Sequence, residues 1–481
     1  MNKTSWLQRQ ALLHPKRLAF LTSKESWSFS LLAQYAQNTA AYYYELLPAN
    51  TTRVAIYSQN HTNLYLTILG LWELGIEIQF LNRRLTKSEM LYQLQDANTQ
   101  VVITDDAHLS FESIVAFGFP NCVALPVATA HFDLGYREDQ IASIMYTSGT
   151  TGNPKGVPQR FSNHLASANA TKKNMHLDAH DTWGLVLPLF HISGLSVLLR
   201  SVALGLTVRF YDDYAIDTVI ADVKTEKVTI LSFVTKMLTD FVTNTTKAYP
   251  GLKAILLGGG PVSKHLLEQA KDKHIPVLQS FGMTETCSQI VALPFDQATK
   301  KLGSAGYPLE NVTIQIHQPD ENGIGELYVN GPSVVKEYLN GRAQDSWTKT
   351  GELKTGDLAY LDRDGALYLV SRLSELIISG GENIYPAEIE HVLVQLPEIS
   401  EAAVVGLSDA TWGQVPVAYL VLNQHTSVAQ IEAILRKQLA KYKLPKAYYI
   451  VQEIPKTANG KPLKRLFLTK ERVNTIEYQL T

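Results

Sequence analysis

The sequence predicts an α/β protein: a large N-terminal domain of parallel-sheet βα units over residues 1–372, then a small α+β C-terminal domain over 373–481. Three observations predict it. The stretch 53–105 alternates strand-like apolar runs with helical periodicity, as RVAIYS, HTNLYLTILGLWELG, IEIQFLN, a helix and VVITD, which reads βαβαβ. The stretch 254–281 repeats the pattern, with AILLGG leading through Pro261 into SKHLLEQAKDKH and returning as IPVLQSF. Beyond about residue 372 the pattern changes to helices that enclose the strand runs EAAVVGL and PVAYLVL.

Each element has a local reason. Thr86 and Glu89 have capping-box spacing, so a helix starts there. Parallel strands joined by helices leave loops at their carboxyl ends, where small ligands bind. In the small domain, PAEIEHVLVQL puts Ile389, Val392, Leu393 and Leu396 on one face. A second helix is expected over about 427–442, opened by Ser427 and Gln430 and buried through Ile431, Ile434, Leu435 and Leu439. No repeat or low-complexity linker separates the domains, so a short hinge near Ser371–Ser374 is expected.

Composition narrows the function. A chain of 481 residues, 45% hydrophobic, can fill more than one core. Its 43 Lys and Arg against 45 Asp and Glu give a formal net charge of −2, which offers no broad field to nucleic acid or an anionic membrane. A small-molecule partner is expected. The N-terminal segment lacks the apolar core of a secretory signal, and no run is long enough to span a bilayer, so stable membrane insertion is not expected. Cys122 and Cys287 are the only cysteines and fit reduced thiols in the cytoplasm. HExxH, paired CxxC and GxSxG are missing, which disfavours a zinc hydrolase or serine esterase. The number of subunits is open; a homo-oligomer is compatible with the sequence.

The most specific segment is YTSGTTGNPKGV, residues 146–157. Gly149 and Gly152 let backbone N–H groups approach phosphate oxygens; Thr147, Ser148, Thr150 and Thr151 add hydroxyl donors; Lys155 adds positive charge. The spacing is not that of a Walker A loop, and no strand-to-helix continuation follows. The plain alternative is a flexible surface loop.

This string resembles the signature loop of the adenylate-forming superfamily, which includes acyl-CoA synthetases, luciferases and peptide-synthetase adenylation domains. Four further segments stand in that superfamily's order, and the resemblance covers nearly the whole chain. It implies that Gly258, Gly259, Gly260 and Pro261 form the adenine-side loop. Ser280, Phe281, Gly282 and Met283 lead to Thr284 facing the α-phosphate and Glu285 supporting magnesium. It likewise implies that Asp357 accepts both ribose hydroxyls, that Arg372 contacts the nucleotide, and that Lys461 bridges the acyl oxygen and the α-phosphate. Taken singly, Asp357 could cap a turn, Arg372 could form a surface ion pair, and Glu285 could be a solvated charge.

The implied reaction uses ATP, Mg2+ and coenzyme A: a carboxylate becomes an acyl-AMP, then a thioester. A carboxylate with pKa near ~4 is ionised at neutral pH and needs no general base. The obstacle is charge on the triphosphate, which cations must neutralise. In the superfamily the small domain rotates between the two steps. The pivot there is usually Asp or Lys, whereas this chain has Ser374; Ile378 stands where many relatives have a lysine.

The segment LPLFHISGLSVLLRSV, residues 187–202, resembles the acyl-pocket helix, with His191 at its mouth, near the reacting atoms together with Thr284 and Lys461. His191, Ser193, Gly194 and Arg200 are the expected substrate contacts. The local wording of this and neighbouring segments resembles ligases that activate a small aromatic dicarboxylate. Arg200 would receive the carboxylate that is not activated; the alternative is a solvent-facing arginine at the helix end. Two rival readings stand: another aryl- or fatty acyl-CoA ligase, and a non-catalytic nucleotide-binding relative.

Overall fold

The βαβαβ stretch folds as expected in the computed structural model, which describes residues 4–147, 154–246, 248–260, 262–294, 297–380, 382–456, 462–468 and 476–480. Strands Arg53–Tyr57, Glu77–Phe80 and Val101–Thr104 pair in parallel within a six-stranded sheet. Buried on both faces, they carry continuous apolar residues such as Val54, Ala55 and Ile56. Helix Thr62–Glu73 crosses between them, and every residue from Leu64 to Glu73 is buried. The capping box Thr86/Glu89 starts helix Lys87–Asp96. The last two strands, Ile141–Thr147 and Lys155–Arg160, form an antiparallel hairpin with Thr147 opposite Lys155. The glycine-rich segment therefore runs from strand to strand.

A nine-stranded sheet holds the second predicted unit. Strand Ala254–Leu257, all buried, passes through helix Lys264–Asp272 to Val277–Met283, which pairs with it in parallel. The chain then reverses into Ser288–Ala292, and the register shifts between Phe281 and Gly282. A side chain at Gly282 would sit 2.1 Å from the Ser288 carbonyl oxygen, so this close crossing requires glycine.

By internal contacts the chain forms two compact units: Met1–Ile314 with Val329–Leu353, and Gln315–Tyr328 with Lys354–Thr481. The expected boundary near Ser371–Ser374 falls inside the second unit. The reason is the hairpin of Leu353–Leu361 and Leu367–Arg372, whose first strand donates a hydrogen bond from Thr355 Oγ1 to the Leu327 carbonyl and whose second packs on helix Pro386–Leu393. The second unit also has a six-stranded sheet, in which Ile399–Asp409 and Gly413–Leu422 are long antiparallel partners. Ile389, Val392, Leu393, Leu396, Ile431 and Leu435 fill its core. Its second helix spans Val428–Gln438, shorter than expected, because Leu439 turns extended and still reaches the core. Among the described residues no helix is long and apolar enough to cross a membrane.

Candidate functional site

In the first unit Thr284 and Glu285 lie in a short 3-10 turn, Thr284–Thr286. The turn is fixed from several sides: Thr286 Oγ1 accepts from the Met283 N–H at 2.9 Å, and Gln159 Nε2 donates to the Thr284 carbonyl at 2.7 Å. Cys287 at φ 53° and Ser288 at φ 96° bend the chain back into the hairpin. Glu285 is buried, its Oε1 accepting from the Tyr338 hydroxyl at 2.9 Å while the Val335 N–H donates to its carbonyl at 2.8 Å. The reading of Glu285 as a solvated charge is excluded.

Tyr338 also links this carboxylate to the glycine-rich segment. Lys155 Nζ lies 5.1 Å from the centre of its ring, a cation–π contact. Pro154 accepts from the Tyr92 hydroxyl at 3.1 Å, which ties down the end of the loop. Lys155 and Glu285 thus share one tyrosine, the first over its ring and the second at its hydroxyl. Ser148, Gly149, Thr150, Thr151 and Gly152 lie outside the described residues, as does Pro261. Of the adenine-side loop, Gly258 packs against Ser280, whose Oγ donates to the Leu257 carbonyl at 3.0 Å, and Gly259 takes φ 88°.

The proposed pocket helix is Ile192–Leu204, with His191 as its N-cap. His191 Nε2 is buried without a hydrogen-bond partner among the described residues. Burial first, and then the field of Arg84, push this imidazole down to about 4, so it is neutral at pH 7. Gly194 has a packing role: a Cβ there would meet the Pro188 carbonyl at 2.2 Å. Ser193 is half-buried, and its carbonyl accepts from Ser196 Oγ at 3.3 Å.

Arg200 is 1% exposed, so the solvent-facing alternative is excluded. Its guanidinium stacks 4.9 Å from the Trp183 ring, and Nη2 donates to Ser288 Oγ and Gln289 Oε1, each at 3.1 Å. Nε and Nη1 have no acceptor among the described residues. Burial pushes this group down to about 9, and the cation survives at neutral pH. A buried guanidinium whose partners are neutral is costly unless an acceptor completes it.

In the second unit, Asp357 and Arg372 face each other across the hairpin, with Arg372 Nε 2.9 Å from Asp357 Oδ1. Arg372 Nη1 also donates to the Thr355 carbonyl at 3.0 Å. The plain reading of Arg372 as an ion pair is therefore met, with the other predicted nucleotide residue as its partner. Ser374 lies exposed in the turn Leu373–Glu375. Lys461 lies outside the described residues.

Tyr338 and Gln159 were missed by sequence reasoning. Both act on residues more than fifty positions away, and no spacing rule connects them. A cleft of about 560 Å3 opens elsewhere on the first unit, beside His61, Asp105, Phe119 and Asp212, and holds none of the predicted residues.

Two family models match the chain. These are AMP-binding enzyme over residues 7–339 and AMP-binding enzyme C-terminal domain over 388–461. The chain belongs to the AMP-binding enzyme family. It is 45% identical to the 2-succinylbenzoate–CoA ligase of Enterococcus faecalis, with 97% of this chain and 99% of the relative covered. It is 39% identical to that of Bacillus subtilis, with 96% of each covered. Among solved structures, o-succinylbenzoate CoA synthetase from Bacillus subtilis in complex with the acyl-adenylate intermediate OSB-AMP superposes with TM-score 0.90 at 37% identity, covering 96% of this chain and 97% of that one. The same synthetase with ATP and magnesium ion gives 0.89 at 37% identity, over 96% and 98%.

Proposed function

We propose that this chain is a 2-succinylbenzoate:CoA ligase serving menaquinone synthesis. The succinyl carboxylate attacks the α-phosphorus of ATP, giving 2-succinylbenzoyl-AMP and pyrophosphate. The CoA thiol then attacks the acyl carbon, giving the thioester and releasing AMP. The observation that carries the substrate is Arg200: a buried guanidinium with idle N–H groups suits the ring carboxylate that is not activated.

No general base is required, in accord with a neutral His191. A single buried carboxylate, Glu285, fits magnesium, which keeps several waters and is usually held by one or two carboxylates plus substrate phosphates. When bound, that ion neutralises phosphate charge. Lys155 adds charge beside it, Thr284 meets the α-phosphate, Asp357 holds the ribose, and Lys461 offsets charge at the reacting oxygens. The hinge is proposed near Ser374, with the lysine-bearing C-terminal part moving after adenylation. The test is AMP release dependent on both ATP and CoA, compared among 2-succinylbenzoate, benzoate, coumarate and fatty acids. Preference for 2-succinylbenzoate is expected; equal or better use of a monocarboxylate overturns the assignment.

A further inference from the structure

We infer that Lys464 is a positioning residue for adenylation: its ammonium, clamped between Glu375 and Glu390, anchors the segment bearing Lys461 to the turn beside Ser374. This rests on the reading of Lys461 as the adenylation lysine.

Lys464 begins the turn Lys464–Phe467, and its side chain is only 11% exposed. Nζ lies 2.7 Å from Glu375 Oε2, 2.8 Å from Glu390 Oε1 and 3.1 Å from Glu390 Oε2. Glu390 is itself tied down, because its Oε1 also accepts from the Val404 N–H at 2.6 Å. The ammonium joins the turn Leu373–Glu375 and helix Pro386–Leu393 to the turn that holds Lys464, and Glu390 in turn links it to strand Ile399–Asp409 through the Val404 N–H. Burial alone would lower this lysine and raise Glu390; the two carboxylates prevail on Lys464, which sits above its ordinary value. The cluster is charged and costly to disturb, since removing one member leaves a buried charge without its partner.

Its place in the chain gives it a task. Lys456 pairs with Pro462 across an isolated bridge, and the Leu463 N–H donates to the Pro455 carbonyl at 2.7 Å, so the two described ends of the chain that flank Lys461 in sequence are held together. One of these ends is held by Lys456 on Glu401 at 2.6 Å and the other by Lys464 on Glu375 and Glu390. Three residues of extended chain reach at most about 11 Å, so fixing Lys464 bounds where the Lys461 backbone can lie. Glu375 directly follows the proposed pivot. The clamp therefore transmits the orientation of the pivot turn to the lysine segment across 89 residues of sequence.

The test separates the two half-reactions in the full-length protein: ATP–pyrophosphate exchange with 2-succinylbenzoate, and thioester formation from supplied acyl-AMP and CoA. Lys464→Met is expected to lower the exchange kcat about 10- to 100-fold, the effect of a misplaced group, with KM for ATP and acid nearly unchanged. Thioester formation is expected to persist, Lys464→Arg to restore exchange, and Glu375→Gln to reproduce the loss in weaker form. Equal loss in both half-reactions, or no loss in Glu375→Gln and Lys464→Met, overturns the inference. Should Lys464→Met fail to fold, the Glu375→Gln exchange rate decides. Lys461→Ala runs beside them: if it leaves exchange intact, the reading of Lys461 fails, whereas loss there with normal exchange in the clamp variants sinks the clamp alone.

Discussion

A guanidinium buried beside Trp183 with neutral partners is expensive unless a ligand completes it. Arg200→Ala is expected to lower kcat/KM for 2-succinylbenzoate roughly 10- to 100-fold, the effect of losing a charged hydrogen bond of about 1.5–3 kcal/mol. It should scarcely change use of an analogue whose ring carboxylate is replaced by hydrogen. Steady-state kinetics of both substrates with both proteins decide it: equal losses would assign Arg200 to the fold. Asp357→Ala should raise the KM for ATP while leaving that for the acid near its original value, because a bidentate charge-assisted contact contributes about 1.5–3 kcal/mol. Unchanged ATP dependence would refute the ribose role. Arg200 and Asp357 were both singled out in the sequence, each through its place in a motif. Their partners were not. Arg200 meets Ser288 and Gln289 only because the chain doubles back after the Thr284–Thr286 turn, and Asp357 meets Arg372 only through a register that shifts between Leu358 and Ala359.

Helix Trp6–Leu13 shows how one element can depend on a distant proton. Its N-cap Ser5 donates through Oγ to Glu73 Oε1 at 2.8 Å, and Glu73 is fully buried with no salt-bridge partner among the described residues. Burial pushes this carboxyl up to about 8, against smaller opposing effects of Ser5 and Gln8. The unfolded chain releases the same proton near the ordinary glutamate value of 4.5. Between these values the folded state holds a proton that the unfolded state lacks. Stability should therefore fall as pH rises through that window, by at most about 1.4 kcal/mol per pH unit, and level off above it. Glu73→Gln should flatten this part of the Tm-versus-pH curve between pH 5 and 9; an unaltered curve would show that Glu73 is not its source. At this scale the sequence was most informative about element type, because periodicity and capping boxes at Thr86 and Ser427 are local. It was least informative about helix ends: Leu396 and Leu439 kept the apolar rhythm after their helices had stopped, since a turn can feed the same core.

At the scale of the molecule, the predicted chemistry is shared out along the chain, with Lys155, Thr284 and Glu285 in one unit and Asp357, Arg372 and Lys461 in the sequence of the other. Lys461→Ala should lose most adenylate formation yet convert supplied acyl-AMP to thioester at a largely preserved rate. Comparable loss in both assays would end the division of labour. The chain also passes between its compact units at 314/315, 328/329 and 353/354. A fragment ended at 353 would strand residues 315–328 without the Thr355 hydroxyl that bonds the Leu327 carbonyl, baring an unpaired strand edge of the kind that drives aggregation. A fragment ended at 372 would keep that hairpin but lose helix Pro386–Leu393 from its outer strand. Neither half can be freed by one cut, so exchange of acyl-specificity between relatives by swapping whole modules must respect three junctions at once.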